Sequence, residues 1–327
     1  MKNDFGDIHV FVTRQIPEAG IEMLKSAGFK VTLWPHDRPI KTPELIAAAQ
    51  KANACITLGT DVIDAEFLTN CRHLDIISQF AVGYDNIDLA TASLSGITIA
   101  NAPGAMSNAT ADVAFGLMIV VSRKMFYLHK TISKGEWKAF QPLANLGFEL
   151  KHKTLGIFGL GRIGYEMALR CKGAYQMRIL YCNRSANLIA ERELNAERVA
   201  FDELLNRSDV ISVHCALTSE TSEVFNKTTF SKMKPSSIFI NTARGGIHNE
   251  NDLIEAIERK IIWGAGLDVT NPEPMAADNP LLSMPNVAIL PHIGSATKEA
   301  RHEMSRIAAQ NIIEFYKSGK PVYLVSE

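Results

Sequence analysis

The sequence predicts an α/β protein of two doubly wound domains, each a parallel sheet covered by helices. Three observations lead there. A chain of 327 residues exceeds what one hydrophobic core usually organises. Short apolar runs alternate with helical segments from the start of the chain, the pattern of a parallel sheet. A second alternation of the same kind begins at Thr154.

In the first alternation, strands are expected at His9 to Thr13, Lys30 to Trp34, Ala54 to Leu58 and Leu74 to Gln79. Helices are expected from Pro17 towards Gly28, from Thr42-Pro43-Glu44, and around Ala65 to Thr69. The apolar helix Ala109 to Ser122 is placed where the chain would pass between domains. The second alternation carries strands at Thr154–Phe158, Met177–Tyr181, Val210–His214, Ser237–Asn241, Gly264–Asp268 and Val287–Leu290, a count that suits a nucleotide-binding sheet. A last helix, Thr297 to Lys317, stops at Ser318-Gly319-Lys320-Pro321 and could return to the first domain.

Bulk composition narrows the function classes. The 34 basic and 35 acidic residues nearly cancel, which gives no footprint for nucleic acid. No apolar run approaches the roughly 18 residues of a membrane span, and Met1 to Asp7 is too polar for a secretory signal, so a cytoplasmic protein is expected. The five cysteines, Cys55, Cys71, Cys171, Cys182 and Cys215, lack CxxC spacing and are read as packing residues, with neither disulfide nor metal site.

Chemistry enters with Thr154-Leu155-Gly156-Ile157-Phe158-Gly159-Leu160-Gly161-Arg162-Ile163-Gly164, a short strand followed by GxGxxG and a helix. Gly159 permits the tight turn, Gly161 lets backbone approach a pyrophosphate, and Gly164 permits close packing of helix on strand. The helix N-terminus supplies unpaired N–H groups and a dipole that favours an anion. A cofactor with an NAD-type diphosphate is therefore expected. About twenty residues on, an NAD site offers Asp or Glu to the ribose; this chain has Tyr181-Cys182-Asn183-Arg184-Ser185 instead. Arg184 can pair with a 2′-phosphate and Asn183 and Ser185 can donate to it, which favours NADP(H) while leaving NAD(H) open.

Three further groups lie just past strand ends, the edge where such sheets bind ligands: Arg244 in Asn241-Thr242-Ala243-Arg244-Gly245-Gly246, Glu273 in Asn271-Pro272-Glu273-Pro274, and His292 in Pro291-His292-Ile293-Gly294. A guanidinium can hold a carboxylate and a carbonyl oxygen through parallel hydrogen bonds. Hydride reduction of a ketone builds charge on oxygen, and histidine, with a reference pKa of about 6.5, is a natural proton donor. A neighbouring carboxylate stabilises its charged form, a role open to Glu273. The other eight histidines lack this placement.

With GLGRIG, NTARGG, GLDVTNPEP and LPHIGSAT in this order, the chain resembles the D-isomer-specific 2-hydroxyacid dehydrogenase family over essentially its whole length. The resemblance implies a Rossmann cofactor domain at about 101–291 and a flavodoxin-like substrate domain made from both chain ends, 1–100 and 292–327. It implies that Arg244 orients a 2-oxo acid, that His292 donates the proton and that Glu273 pairs with His292. The loop Gln79-Phe80-Ala81-Val82-Gly83-Tyr84-Asp85 would bind the substrate carboxylate through the Val82 and Gly83 amides, beside Arg244 and His292. Thr110, Arg162, Ile163 and Gly294 join the cofactor contacts, Cys215-Ala216-Leu217 and Thr242-Ala243 line the adenosine and nicotinamide halves, and Asp268 would meet the nicotinamide amide. A homodimer is also implied, with Phe140 as a small aromatic wedge from a partner.

Within the family, the Asn183-Arg184-Ser185 segment and the Pro272-Glu273-Pro274 step are similar to glyoxylate and hydroxypyruvate reductases, which implies NADPH-dependent reduction of a small 2-oxo acid. Alternatives are a 2-ketogluconate or other sugar-acid reductase, differing in pocket size near Val82, Tyr84 and Phe140, and an NAD-linked phosphoglycerate dehydrogenase. A non-catalytic cofactor sensor would bind cofactor without turnover.

Overall fold

The computed structural model describes residues 5–325. In chain order the first elements are β1 (His9–Val12), α1 (Glu18–Ser26), β2 (Lys30–Leu33), α2 (Thr42–Ala49), β3 (Ala54–Thr57), α3 (Ala65–Asn70), β4 (Ile76–Gln79), α4 (Leu89–Leu94) and β5 (Thr98–Ala100). Then come α5 (Ser107–Ser122), α6 (Met125–Ser133), β6 (Thr154–Phe158), α7 (Arg162–Tyr175), β7 (Arg178–Cys182), α8 (Leu188–Leu194), β8 (Glu197–Arg198), α9 (Phe201–Arg207) and β9 (Val210–Val213). The chain closes with α10 (Lys227–Phe230), β10 (Ile238–Asn241), α11 (Glu250–Glu258), β11 (Gly264–Leu267), β12 (Val287–Ile289) and α12 (Lys298–Ser318).

These elements form two compact units. The first runs through Met106 and resumes at Ala296; its five parallel strands lie in the order β2-β1-β3-β4-β5. Both sheet faces are buried, as a parallel sheet requires. Side-chain alternation along the strands sends Val10, Val12, Ile56 and Ile76 to one core, shared with Met304, Ala308 and Ile312 of α12, and sends Phe11, Cys55 and Ile77 to the other. The end of the chain is locked to its beginning: the Gly20 N–H donates to Ser305 Oγ at 3.1 Å, and that hydroxyl donates to the Pro17 carbonyl at 2.6 Å. A Cβ on Gly20 would lie 2.2 Å from the Ser305 carbonyl oxygen, so only glycine lets α1 and α12 pack this closely.

The second unit, Ser107–Ser295, holds a seven-stranded parallel sheet in the order β12-β11-β10-β9-β6-β7-β8. Strand order reverses between β6 and β9, and the carboxyl ends of those strands form the crevice where doubly wound sheets bind nucleotides. The chain crosses between units after Met106 and after Ser295, later than the expected 100 and 291. The second shift has a local cause: the Thr110 hydroxyl donates to the Gly294 carbonyl at 3.0 Å, which ties residues just past β12 to α5.

Two elements of the first unit have no counterpart in the sequence reading, α4 and β5, although the Asp88 side chain caps α4 by accepting from the Thr91 N–H at 2.9 Å. The two-residue β8 was likewise unread, being too short to carry a period. Cys55, Cys71 and Cys171 are buried as expected of packing residues; Cys182 and Cys215 are only half-buried, because they stand at the carboxyl ends of β7 and β9 beside the glycine turn. Among the described residues no helix is long and apolar enough to cross a membrane.

Candidate active site

The glycine turn is built by contact. Gly159 has φ 95°, and a Cβ there would lie 2.5 Å from the Cys215 nitrogen, so both conformation and space demand glycine. A Cβ on Gly164 would lie 2.9 Å from the Gly159 carbonyl oxygen and 3.0 Å from Ile157, the close packing of helix on strand expected there. Gly161 meets nothing within 4 Å and is the N-cap of α7 without any side-chain cap. The Arg162 and Ile163 N–H groups donate to none of the described residues and stand at a positive dipole end, which fits a diphosphate. The Thr242 hydroxyl, at the end of β10, is buried without a partner among the described residues.

At the end of β7 the expected phosphate ligands divide. Arg184 and Ser185 are exposed. Asn183 is used otherwise: its Oδ1 accepts the Leu160 N–H at 2.6 Å and its Nδ2 donates to the Leu160 carbonyl at 3.2 Å. Its side chain supports the glycine turn, using its oxygen and one of its two amide hydrogens. No carboxylate occupies residues 183–185, as a 2′-phosphate requires.

Arg244 follows β10. Asn241 organises its loop by accepting the Ala243 N–H at 3.0 Å and donating to the Arg244 carbonyl at 2.8 Å, while Arg244 Nη1 donates to the Ala243 carbonyl at 2.8 Å. The same Asn241 Nδ2 lies 3.1 Å from His248 Nδ1, which must accept, so the ring proton sits on Nε2. Neither Asn241 nor His248 was read as part of the site. The signal available for Asn241 was its position at the strand end; His248 carried none. Gly245 was also missed as a structural requirement: a Cβ there would lie 2.0 Å from the Thr270 carbonyl oxygen, so glycine brings the Arg244 loop onto the segment leading to Glu273.

Glu273 and His292 meet, with His292 Nδ1 2.6 Å from Glu273 Oε1. An ionised carboxylate only accepts, so Nδ1 donates and Nε2 is left for other chemistry. Partial burial raises the Glu273 carboxyl, but the His292 hydrogen bond and charge, the Thr270 amide and the Arg244 charge outweigh it, leaving Glu273 below the ordinary carboxylate range. His292 itself has φ 54°, a left-handed conformation uncommon outside glycine. What holds it is Asp268, which accepts the Ile293 N–H at 2.8 Å and the Gly294 N–H at 2.7 Å, one on each oxygen. Asp268 is 1% exposed, and burial raises its carboxyl against the pull of those two amides. Each Asp268 oxygen thus takes one amide of the His292 loop and keeps a further acceptor position.

Against the expectation that no other histidine shares this placement, His214 and His248 also lie near strand ends, since His214 directly follows β9 and His248 folds back onto Asn241 at the end of β10. Burial lowers them to about 3 and about 4, so both are neutral near pH 7 and neither can hold a proton for donation.

In the first unit, the loop after β4 is drawn back by its carbonyls. The Asn101 side chain donates to the Val82 carbonyl at 2.8 Å, and Gln79 donates to the Gly83 carbonyl at 3.4 Å while bonding Asn86 at 2.8 Å. The Val82 and Gly83 N–H groups donate to none of the described residues. Two adjacent N–H groups are thereby left available to an anion.

Residues 115–294 match the family model described as D-isomer specific 2-hydroxyacid dehydrogenase, NAD binding domain. The chain is 44% identical over 322 residues to a glyoxylate reductase of Thermococcus litoralis, covering 97% of this chain and 96% of that one. A solved glyoxylate reductase from Paecilomyes thermophila superposes with a TM-score of 0.87 at 32% identity, covering 97% of this chain and 98% of that one. An NADPH-dependent glyoxylate/hydroxypyruvate reductase of Sinorhizobium meliloti, solved with NADP and malonate, gives 0.84 at 27% identity, covering 98% and 97%.

Gly245→Ala should push the Arg244 loop off Thr270 and lower kcat/KM by about a hundred-fold through misplacement alone. Cofactor binding, followed by quenching of protein fluorescence, should persist, and unchanged turnover would show that the contact is not needed.

Proposed function

Because the chain belongs to the D-isomer specific 2-hydroxyacid dehydrogenase family, we propose that it reduces a small 2-oxo acid, glyoxylate or hydroxypyruvate, to the D-2-hydroxy acid with NADPH. The observation that carries the reading is the Glu273–His292 pair, at 2.6 Å, in a unit whose glycine turn fits a dinucleotide. When bound, the nicotinamide supplies a hydride to the carbonyl carbon.

In this reading the protein's own residues bind, orient and protonate the substrate. The Val82 and Gly83 amides bind the substrate carboxylate, and Arg244 orients the carbonyl so that its oxygen is polarised as charge develops. His292 gives that oxygen a proton from Nε2, since Nδ1 is engaged with Glu273. Glu273, held ionised below the ordinary carboxylate range, stabilises the imidazolium before transfer. The exposed Arg184 guanidinium, with no carboxylate beside it in sequence, favours the 2′-phosphate of NADPH. Thr110 and Asp268 act by holding Gly294 and hence His292. The exposed apolar side chains of Trp137, Phe140, Leu143 and Leu146 favour a second copy as their cover, hence a homodimer.

Loss of nucleotide absorbance should be fastest with NADPH and glyoxylate or hydroxypyruvate; preference for 2-ketogluconate, for NADH, or binding without turnover would each replace this reading with a different one. His292→Asn should abolish turnover while leaving NADPH binding intact, and near-normal activity would remove His292 as the donor. Glu273→Gln removes the negative charge that lies against His292 Nδ1 and should lower kcat by about tenfold with NADPH binding unchanged. Unchanged turnover would leave Glu273 without that electrostatic role.

A further inference from the structure

The sequence points to Arg184 beyond β7, and the fold brings a second arginine to the same corner. Arg198 lies in β8, which pairs with β7 in parallel, Tyr181 opposite Arg198. Its side chain reaches past the end of β7. Nε and Nη2 donate to the Asn183 carbonyl at 3.3 and 3.0 Å, and Nη2 also donates to the Arg184 carbonyl at 2.7 Å. One guanidinium therefore clamps the backbone of both residues that stand where an NAD site would present its ribose-binding acid. The clamp extends inward, because the Asn183 side chain holds Leu160 of the glycine turn at 2.6 Å.

Charge is the second observation. The neighbouring acid on β8, Glu197, is taken by Arg207 through two hydrogen bonds of 2.8 and 2.7 Å. Arg198 pairs with no carboxylate among the described residues, and its Nη1 makes no hydrogen bond there. A guanidinium bound only to neutral carbonyl oxygens keeps its whole charge, and a phosphate is the ligand whose charge and acceptors answer it.

We propose that Arg198 is a positioning residue for selectivity towards a 2′-phosphorylated adenosine. It fixes the height of the 183–185 loop so that Arg184 is presented, and it adds a second positive charge at that corner. The inference rests on the NADPH reading. It is distinct from that reading because Arg184 could select the phosphate alone.

The test is calorimetric binding of adenosine 2′,5′-bisphosphate and of 5′-AMP, which need no turnover, to the wild-type chain and to the Arg184→Ala, Arg198→Ala and Arg198→Lys variants. Arg198→Ala should weaken the bisphosphate about tenfold, the scale of one charge-assisted hydrogen bond, with 5′-AMP unchanged. Arg198→Lys keeps the charge but cannot fork across two carbonyls, and should recover only part of the loss. Full recovery by lysine would assign the effect to charge alone and overturn the positioning role. Equal weakening of both ligands would reduce Arg198 to general support of the loop, also overturning the proposal. If Arg184→Ala weakens the bisphosphate and Arg198→Ala does not, Arg198 is excluded while the NADPH reading stands. If the wild-type chain binds both ligands alike and Arg184→Ala changes neither, the NADPH reading fails and this inference with it.

Discussion

The buried carboxylate of Asp268 is the interaction on which the catalytic geometry depends. Its two oxygens take the consecutive amides of Ile293 and Gly294 and so dictate how the chain leaves β12. Hydrogen bonds to an ionised acceptor are about twice as strong as neutral ones, which lets one side chain hold a backbone in a conformation it would not choose. His292 is the residue that bears the cost, of order 1–3 kcal/mol for a left-handed non-glycine. The strain has a use, since it is in this conformation that Nδ1 faces Glu273 and Nε2 stays unpledged. Thr110 closes the arrangement from α5, and Gly294 sits tightly against both Thr110 and Asp268: a Cβ there would lie 3.0 Å from Asp268 Oδ2 and would have to displace it.

Burial decides which histidine can do acid chemistry. His214 and His248 occupy the same carboxyl edge of the sheet, yet low-dielectric surroundings keep them neutral, and they serve as fixed hydrogen-bonding parts. His292 has a half-exposed side chain and a carboxylate at hand. The acid's partner is itself positioned by backbone contact, because Gly245 lies against Thr270 and brings the Arg244 loop to the segment that carries Glu273. Three loops at three strand ends are thus tied together by one carboxylate, one asparagine and one missing side chain.

The cofactor end follows the same economy. Asn183 supports the glycine turn, Arg198 supports Asn183, and the exposed cation Arg184 rides on that scaffold. The Leu160 and Gly161 amides of the turn are already bonded, to Asn183 Oδ1 and to the Gly159 carbonyl, so the turn is fixed from within and by its neighbour while the N–H groups that begin α7 are left for a diphosphate.

The sequence by itself determined the alternation of strands and helices, because period and turn chemistry act over a few residues and are written locally. It also determined the glycine turn, the absence of an acid after β7, and Arg244, Glu273 and His292 as groups at strand ends. Among the elements it left unread, α4 at Leu89–Leu94, β5 at Thr98–Ala100 and the two residues of β8 are too short to display a period, and the bounds of α6 and of α8 to α11 came only from the structure. Only the tertiary structure decided that Asn183 faces Leu160, that Asp268 bonds the His292 loop, that Asn241 bonds the Arg244 carbonyl and meets His248, that Gly245 lies against Thr270, and that Arg198 reaches the carbonyls of residues 183 and 184. Glu273 lies 19 residues from His292 and Asp268 lies 26 from Gly294. Partners that far apart are matched by which strand ends the sheet order sets side by side, and sheet order is a property of the packed core rather than of any local stretch of chain.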